Sequence, residues 1–226
     1  MPVVMFDLYG TLITEEKYDY GQALRWLADT YFDSRIAELQ DSSQRFKANY
    51  LQMRAVSNSE SSFREQLRAF ESALHIQLSD DYDAVEAGFI RVFRREKLKE
   101  GALSILRFLQ ARGIRISILT NSLFSGKNLK AHLVTVGIAD AIEVVFSSAD
   151  IGYRKPAQET FHYALSALGI RDASQVVHIG DSYEKDYLGA RLSGLRPVLV
   201  SSDPEYADFA YGDLHAVEFW LKGVFS

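Results

Sequence analysis

The chain has 226 residues, 47% hydrophobic and 24% charged, with no cysteine and a formal net charge of −5. This composition fits a soluble globular chain that buries its core without staples, and it excludes a disulfide scaffold, a thiolate metal site and a cysteine nucleophile. The acidic balance argues against nucleic acid as a partner, no apolar run reaches the ~18 residues of a membrane span, and the start Met1-Pro2-Val3 lacks a basic leader, so a mature cytoplasmic protein is expected.

In chain order, Val3–Phe6 reads as a buried strand. Between Gly21 and Gly88 there is neither glycine nor proline. Apolar residues recur there at helical spacing: Leu24, Leu27, Ala28 and Tyr31, then Phe63, Leu67, Phe70 and Leu74, and more loosely Val85, Phe89 and Phe93. Ser57-Asn58-Ser59-Glu60-Ser61-Ser62 reads as a loop rich in helix caps. Beyond it the texture changes. Strands are predicted at Ile114–Leu119, Val144–Phe146, Val176–Ile179 and Val198–Val200, and helices at 102–112, 125–136, 157–168 and 184–193. The alternation implies an α/β fold, a Rossmann-like doubly wound parallel sheet formed by residues 1–14 and 97–226, interrupted by a helical insert over 15–96. The insert holds 11 basic and 15 acidic residues, so nearly all the net charge belongs to it.

Polar residues follow each predicted strand: Asp7-Leu8-Tyr9-Gly10-Thr11, Thr120-Asn121-Ser122, Gly152-Tyr153-Arg154-Lys155-Pro156 and Gly180-Asp181 with Asp186 beyond. Open α/β sheets bind ligands at the carboxyl ends of their strands. Asp7 there suits a nucleophile or a metal ligand. Mg²⁺ prefers oxygen ligands, and Asp7 with Asp181, a backbone carbonyl and Asp186 at one remove would suit it. Lys155 would compensate the crowded carboxylates, and Thr120 with the N–H groups after it would hold phosphoryl oxygens. Plainer roles exist for several of these residues. Thr120 also suits a helix N-cap, Asp181 could cap the helix at 184–193, and His178 lies inside a strand pattern.

These four ordered motifs resemble those of the haloacid dehalogenase-like hydrolase superfamily, over nearly the whole chain. The resemblance implies a helical cap where the insert sits, Asp7 as a nucleophile forming a covalent aspartyl intermediate, and Thr120 and Lys155 on the transferred group. It further implies Mg²⁺ held by Asp7, the backbone of Tyr9, Asp181 and Asp186, and substrate contacts from Thr11, Thr120, Asn121 and Lys155. The substrate would be a small anionic molecule and the protein a monomer or homodimer.

One position departs from the phosphatase pattern. Phosphatases of this family usually carry a second aspartate two residues after the nucleophile, as general acid–base; here it is Tyr9. Tyrosine there resembles the 2-haloacid dehalogenase branch, whose halide leaving groups need no proton. The segment Gln44–Tyr50 also resembles that branch's cap helix, which would make Arg45 a halide-binding residue. Against it stand Gly180-Asp181, the metal-binding form of the last motif, and Phe161 where the dehalogenases place a tyrosine. The leading expectation is a Mg²⁺-dependent phosphatase. The alternatives are a metal-independent dehalogenase and a binding protein that keeps the fold without turnover.

Overall fold

The computed structural model describes residues 2–225, with Glu15 described through its backbone alone. The chain opens with β1 (Val3–Phe6) and β2 (Ile13–Tyr18), then passes through α1 (Tyr20–Tyr31), α2 (Ile36–Val56), α3 (Phe63–Leu74) and α4 (Tyr82–Phe93) to β3 (Arg94–Leu98). There follow α5 (Ala102–Ala111), β4 (Arg115–Thr120), α6 (Gly126–His132), β5 (Val144–Ser147), α7 (Ser148–Ile151) and α8 (Gln158–Ala167). The last elements are β6 (Val176–Gly180), α9 (Gly189–Leu192), β7 (Arg196–Leu199) and α10 (Leu214–Val224).

Five strands form a wholly parallel sheet in the order β5-β4-β1-β6-β7. Every residue of β1 is buried. Its Val4 and Phe6 enter the larger apolar cluster and its Val3 and Met5 the smaller, as the two-residue period of a strand requires. The chain runs outward from β1 through β4 to β5, then returns to the other side of β1 as β6 and β7. This reversal makes a crevice between β1 and β6, where such sheets bind ligands. Asp7 prolongs the pairing there, its N–H donating to the Ile179 carbonyl at 2.8 Å.

The predicted insert is four helices set on an antiparallel ribbon. β2 pairs with β3, Ile13 opposite Leu98 and Tyr18 opposite Arg94, with a register shift between Glu15 and Lys17. The expected boundaries at 14/15 and 96/97 fall inside these two strands. The ribbon gave no signal because its charged runs, Glu15-Glu16-Lys17 and Arg94-Arg95-Glu96-Lys97, lack the β-branched and aromatic residues enriched in strands and carry Glu and Lys, which are depleted there. The long helical stretch also turns between α1 and α2 without glycine: Asp33 and Ser34 take the left-handed conformation, φ 50° and 58°, which short polar side chains tolerate best. The loop predicted near 57–62 is present, and Ser62 starts α3 with a capping box completed by Glu65.

Insert and core share one apolar cluster, in which Leu27, Phe63 and Phe89 belong with Phe6 and Leu106. A strap joins them as well. The Arg154 N–H donates to the Asn58 carbonyl at 2.8 Å, Glu60 N–H to Gly152 at 2.9 Å and Phe63 N–H to Leu123 at 2.7 Å. The Arg154 guanidinium donates to the carbonyls of Arg54 and Ser57. Helix α10, which carried no prediction, buries Leu214, Val217 and Leu221 and packs on α5. Among the described residues no helix is long and apolar enough to cross a membrane.

Candidate active site

The carboxyl ends of β1, β4 and β6 and the turn before α8 meet around a cavity of about 210 Å³ lined by Asp7, Tyr9, Thr120, Asn121, Lys155 and Asp181, with Asp186 at its base. One carboxylate oxygen each from Asp7, Asp181 and Asp186 lie within 4.8 Å of one another. Lys155, 1% exposed, bridges two of the three, its Nζ donating to Asp7 at 2.8 Å and to Asp186 at 2.5 Å. The peptide bond between Lys155 and Pro156 is cis.

Charge placement sets the acidities. Burial, reinforced by Asp186 and Asp181, outweighs the Lys155 ammonium and pushes Asp7 up to about 7. Burial also acts on Asp186, but Lys155 and His178 outweigh it and hold that carboxyl below its usual range. Burial disfavours the Lys155 charge, yet Asp186 and Asp7 overcome this and raise its pKa. Asp181 is pushed upward by desolvation and then by Asp186. Although Asp181 is exposed as a residue, its carboxylate lies against the backbone: a Cβ on Gly10 would overlap it.

Gly10 also has φ +88°, so Gly10→Ala carries two penalties. The left-handed backbone costs roughly 1–2 kcal/mol, and the Asp181 carboxylate must move to make room. Thermal denaturation is expected to register the loss, and an unchanged Tm would mean that the loop relaxes freely.

The remaining predicted residues divide by what they touch. Thr120 is 1% exposed and lines the cavity, but it does not cap α6; Ser125 does. The cap of the turn after Asp181 is likewise Ser182. Thr11 is buried and donates to Asp7 Oδ2 at 3.2 Å, so it orients the carboxylate instead of facing the cavity as expected. Asn121 lines the cavity, yet both ends of its amide serve Lys155: Oδ1 accepts from the Lys155 N–H at 2.8 Å and Nδ2 donates to its carbonyl at 2.9 Å. Besides the place on the cavity wall expected of a substrate contact, Asn121 thus clamps the lysine backbone. Arg45 is not brought to the site. It is exposed on α2 and pairs with Asp41 one turn earlier at 2.6 Å, because the face of α2 carrying Leu39, Ser42 and Ser43 is the one turned inward.

Asp186, expected as a metal ligand, has its oxygens engaged. Oδ1 meets Lys155 and His178 Nε2, the latter at 3.0 Å, and Oδ2 accepts from the Ser182 N–H at 3.1 Å. Asp186 sits in a π-helical turn, Tyr183–Leu188, a distortion frequent at functional sites. Its neighbour His178 is fully buried, and burial lowers its pKa. The neutral ring donates through Nε2, leaving Nδ1 without a partner, and Phe161 packs edge-on against it.

Tyr9 lines the cavity, but its hydroxyl is buried and without a hydrogen-bond partner. The Arg94 guanidinium lies over its ring, 4.4 Å from the centroid. Burial, partly offset by Arg94, raises the phenol further above its ordinary value, so at neutral pH it stays protonated and is a weaker acid than a carboxyl would be. Arg94 and His178 were not predicted site residues, nor was Lys99, whose Nζ donates to the Gly10 carbonyl at 2.5 Å. Each acts through a partner distant in sequence or, for His178, inside an ordinary apolar strand pattern.

Residues 1–194 match the haloacid dehalogenase-like hydrolase family, and the chain belongs to it. Over 125 residues it is 35% identical to haloacid dehalogenase-like hydrolase domain-containing protein 3 of Bos taurus, a match covering 55% of this chain and 48% of that protein. Over 135 residues it is 35% identical to a phosphoserine phosphatase of Thermus thermophilus, covering 57% and 53%. The matched part thus spans about half the length of these curated relatives. A phosphatase of the family from Thermococcus onnurineus shares the fold over 98% of both chains, with a TM-score of 0.63 at 20% identity.

Proposed function

We propose that the protein is a Mg²⁺-dependent phosphatase acting on small phosphate monoesters, with Asp7 as nucleophile and the four-helix insert as its cap. The carrying observation is the meeting of Asp7 and Asp181 at the β1–β6 crevice. Two close carboxylates repel unless a cation joins them, and Lys155 is committed to Asp7 and Asp186. The donor set is oxygen alone, which suits Mg²⁺. Asp7 and Asp181 would hold the ion, with Asp186 acting at one remove through Lys155. When bound, the ion supplies positive charge opposite the transferred phosphoryl oxygens.

The rest follows from the chain. An Asp7 oxygen attacks phosphorus as the ester P–O bond breaks, giving an aspartyl phosphate and the leaving alkoxide or phenoxide. Lys155 and Thr120 neutralise and position the phosphoryl oxygens. Water then attacks the aspartyl phosphate, releases inorganic phosphate and restores Asp7. Tyr9 is a poorer proton donor than a carboxyl, so turnover depends on how well the leaving group departs as an anion. Across phosphate esters of increasingly basic leaving groups, kcat/KM is expected to fall by roughly 10²–10⁴, the contribution a general acid normally makes. Tyr9→Asp is expected to flatten that series, and a flat series in the natural protein would sink the reading.

Tyr9 also favours a second reading, a 2-haloacid dehalogenase in which Asp7 attacks carbon and halide leaves unprotonated. A panel of phosphate esters and 2-haloacids, assayed with Mg²⁺ and with chelator, separates the two. Phosphate release that requires Mg²⁺ supports the first, and halide release in chelator supports the second.

A further inference from the structure

A second cavity, of about 350 Å³, lies between the insert and the core, lined by Tyr20, Ser43, Phe46, Lys47, Tyr50 and Gln66 together with Leu51 and Leu123. Leu123 is two residues beyond Asn121, which lines the catalytic cavity. Consecutive Cα atoms are 3.8 Å apart, so Leu123 lies within about 7 Å of Asn121 along the chain. Both cavities are therefore lined in part from one loop, the residues that follow β4. The catalytic one is small and polar; the second has an aromatic wall. Phe46 and Tyr50, one turn apart on α2, hold their rings within 11° of parallel, and Arg54 covers Tyr50 at 5.0 Å from its centroid. An apolar cavity of roughly 150 Å³ already takes a benzene ring.

Hydrogen-bond counting adds a specific feature. Gln66 Nε2 donates to the Tyr20 hydroxyl at 2.7 Å and to Ser43 Oγ at 3.4 Å, and the two hydroxyls are 2.5 Å apart. The Tyr20–Ser43 bond uses one hydroxyl proton. The other hydroxyl keeps its proton for a ligand, whichever way the bond is oriented. Lys47 brings an ammonium to the same wall.

From the position, the aromatic wall and the spare donor, we infer that this cavity receives the leaving group of the substrate, an aryl ring bearing a hydrogen-bond acceptor. The inference rests on the phosphatase reading and gives it a substrate class, aryl phosphate monoesters. The side chain two residues after Asp7 agrees with that class: Tyr9 is a phenol whose hydroxyl is buried and whose ring lies under Arg94, so no carboxyl stands there, which suits a leaving group that departs as a stable anion, as an acceptor-substituted phenoxide does. The second cavity is shaped for a flat apolar ring with one polar end.

The test uses the full chain with Mg²⁺ and two inert probes, phenylphosphonate and methylphosphonate, whose affinities are read by calorimetry. Acetyl phosphate and 4-nitrophenyl phosphate serve as substrates. Phenylphosphonate is expected to bind roughly tenfold or more tightly than methylphosphonate, the effect of burying one ring. Leu51, 55% exposed on the cavity wall, can be changed without entering the core. Leu51→Trp, which fills the space, is expected to reduce the phenyl-to-methyl affinity ratio about tenfold, and Leu51→Ala about threefold, by the apolar contact each blocks or removes. The kcat/KM ratio of 4-nitrophenyl phosphate to acetyl phosphate should fall in parallel. Acetyl phosphate turnover with equal binding of both phosphonates would overturn the aryl pocket and leave the phosphatase reading standing. Absence of turnover on both substrates together with absence of phosphonate binding would remove the phosphatase reading and this inference with it.

Discussion

Lys155→Met is expected to destabilise the protein by about 3–5 kcal/mol at pH 7, the usual penalty for removing one partner of a buried ion pair. The side chain is 1% exposed and holds Asp7 and Asp186, both buried. Without it, the Asp186 charge keeps only His178 and the Ser182 N–H. The pH dependence gives the sign. In the natural protein Asp186 titrates below its usual range, so its stabilising contribution is present above the unfolded value of about 4 and is lost as pH falls through the lower folded value. In the variant that contribution is gone, and the two carboxyls can relieve their charge by taking up protons. The stability gap should therefore be wide at pH 8 and narrow toward pH 4, as read by chemical denaturation across pH. Adding Asp186→Leu to Lys155→Met should recover part of the loss, because the orphan charge leaves with it. A gap independent of pH, or a double variant weaker than the single one, would contradict this account.

Asp7→Asn is expected to have opposite effects on activity and stability. If Asp7 is the nucleophile as proposed, its removal should lower kcat by roughly 10⁴–10⁶. The metal-free protein should at the same time gain stability at alkaline pH. The folded state holds Asp7 up to about 7, against an unfolded value near ~3.9. Stability from this group is present below the unfolded pKa and lost as pH rises through about 7. The loss amounts to at most about 4 kcal/mol when the group is fully ionised. Asparagine carries no such charge, so the Tm of Asp7→Asn minus that of the natural protein, both in chelator, should grow from pH 5 to pH 8. Excess Mg²⁺ should shrink the difference by stabilising the natural carboxylate. A pH-independent difference would mean that Asp7 is not the charged group the site strains against.

Much of this site can be read from the residues after each strand. Val3–Phe6, Ile114–Leu119 and Val176–Ile179 are short apolar runs, and a parallel sheet brings their carboxyl ends to one edge; Asp7, Thr120 and Asp181 follow. Roles were harder to read than positions. Asn121 clamps Lys155 from 34 residues away, and Thr11 faces Asp7 instead of the cavity. Such pairings depend on side-chain direction, which no spacing rule supplies. Arg45 failed for a related reason: a local segment can resemble another helix while presenting its arginine to solvent. The β2–β3 ribbon was hidden by its charged residues, and the turn at Asp33–Ser34 by its lack of glycine.

The strap between Asn58–Glu60 and Gly152–Arg154 has a thermodynamic consequence for the molecule as a whole. A lobe held only by a two-stranded ribbon could melt by itself and leave the sheet intact. Here the lobe also shares an apolar cluster with the sheet and is tied by backbone hydrogen bonds to the turn that carries Lys155. Detaching it would divide that shared cluster and release Arg154, the residue next to that lysine. The two halves are therefore expected to melt as a single cooperative unit, seen as one calorimetric transition, so that the sequence interruption after the first strand would not divide the folding free energy into two parts.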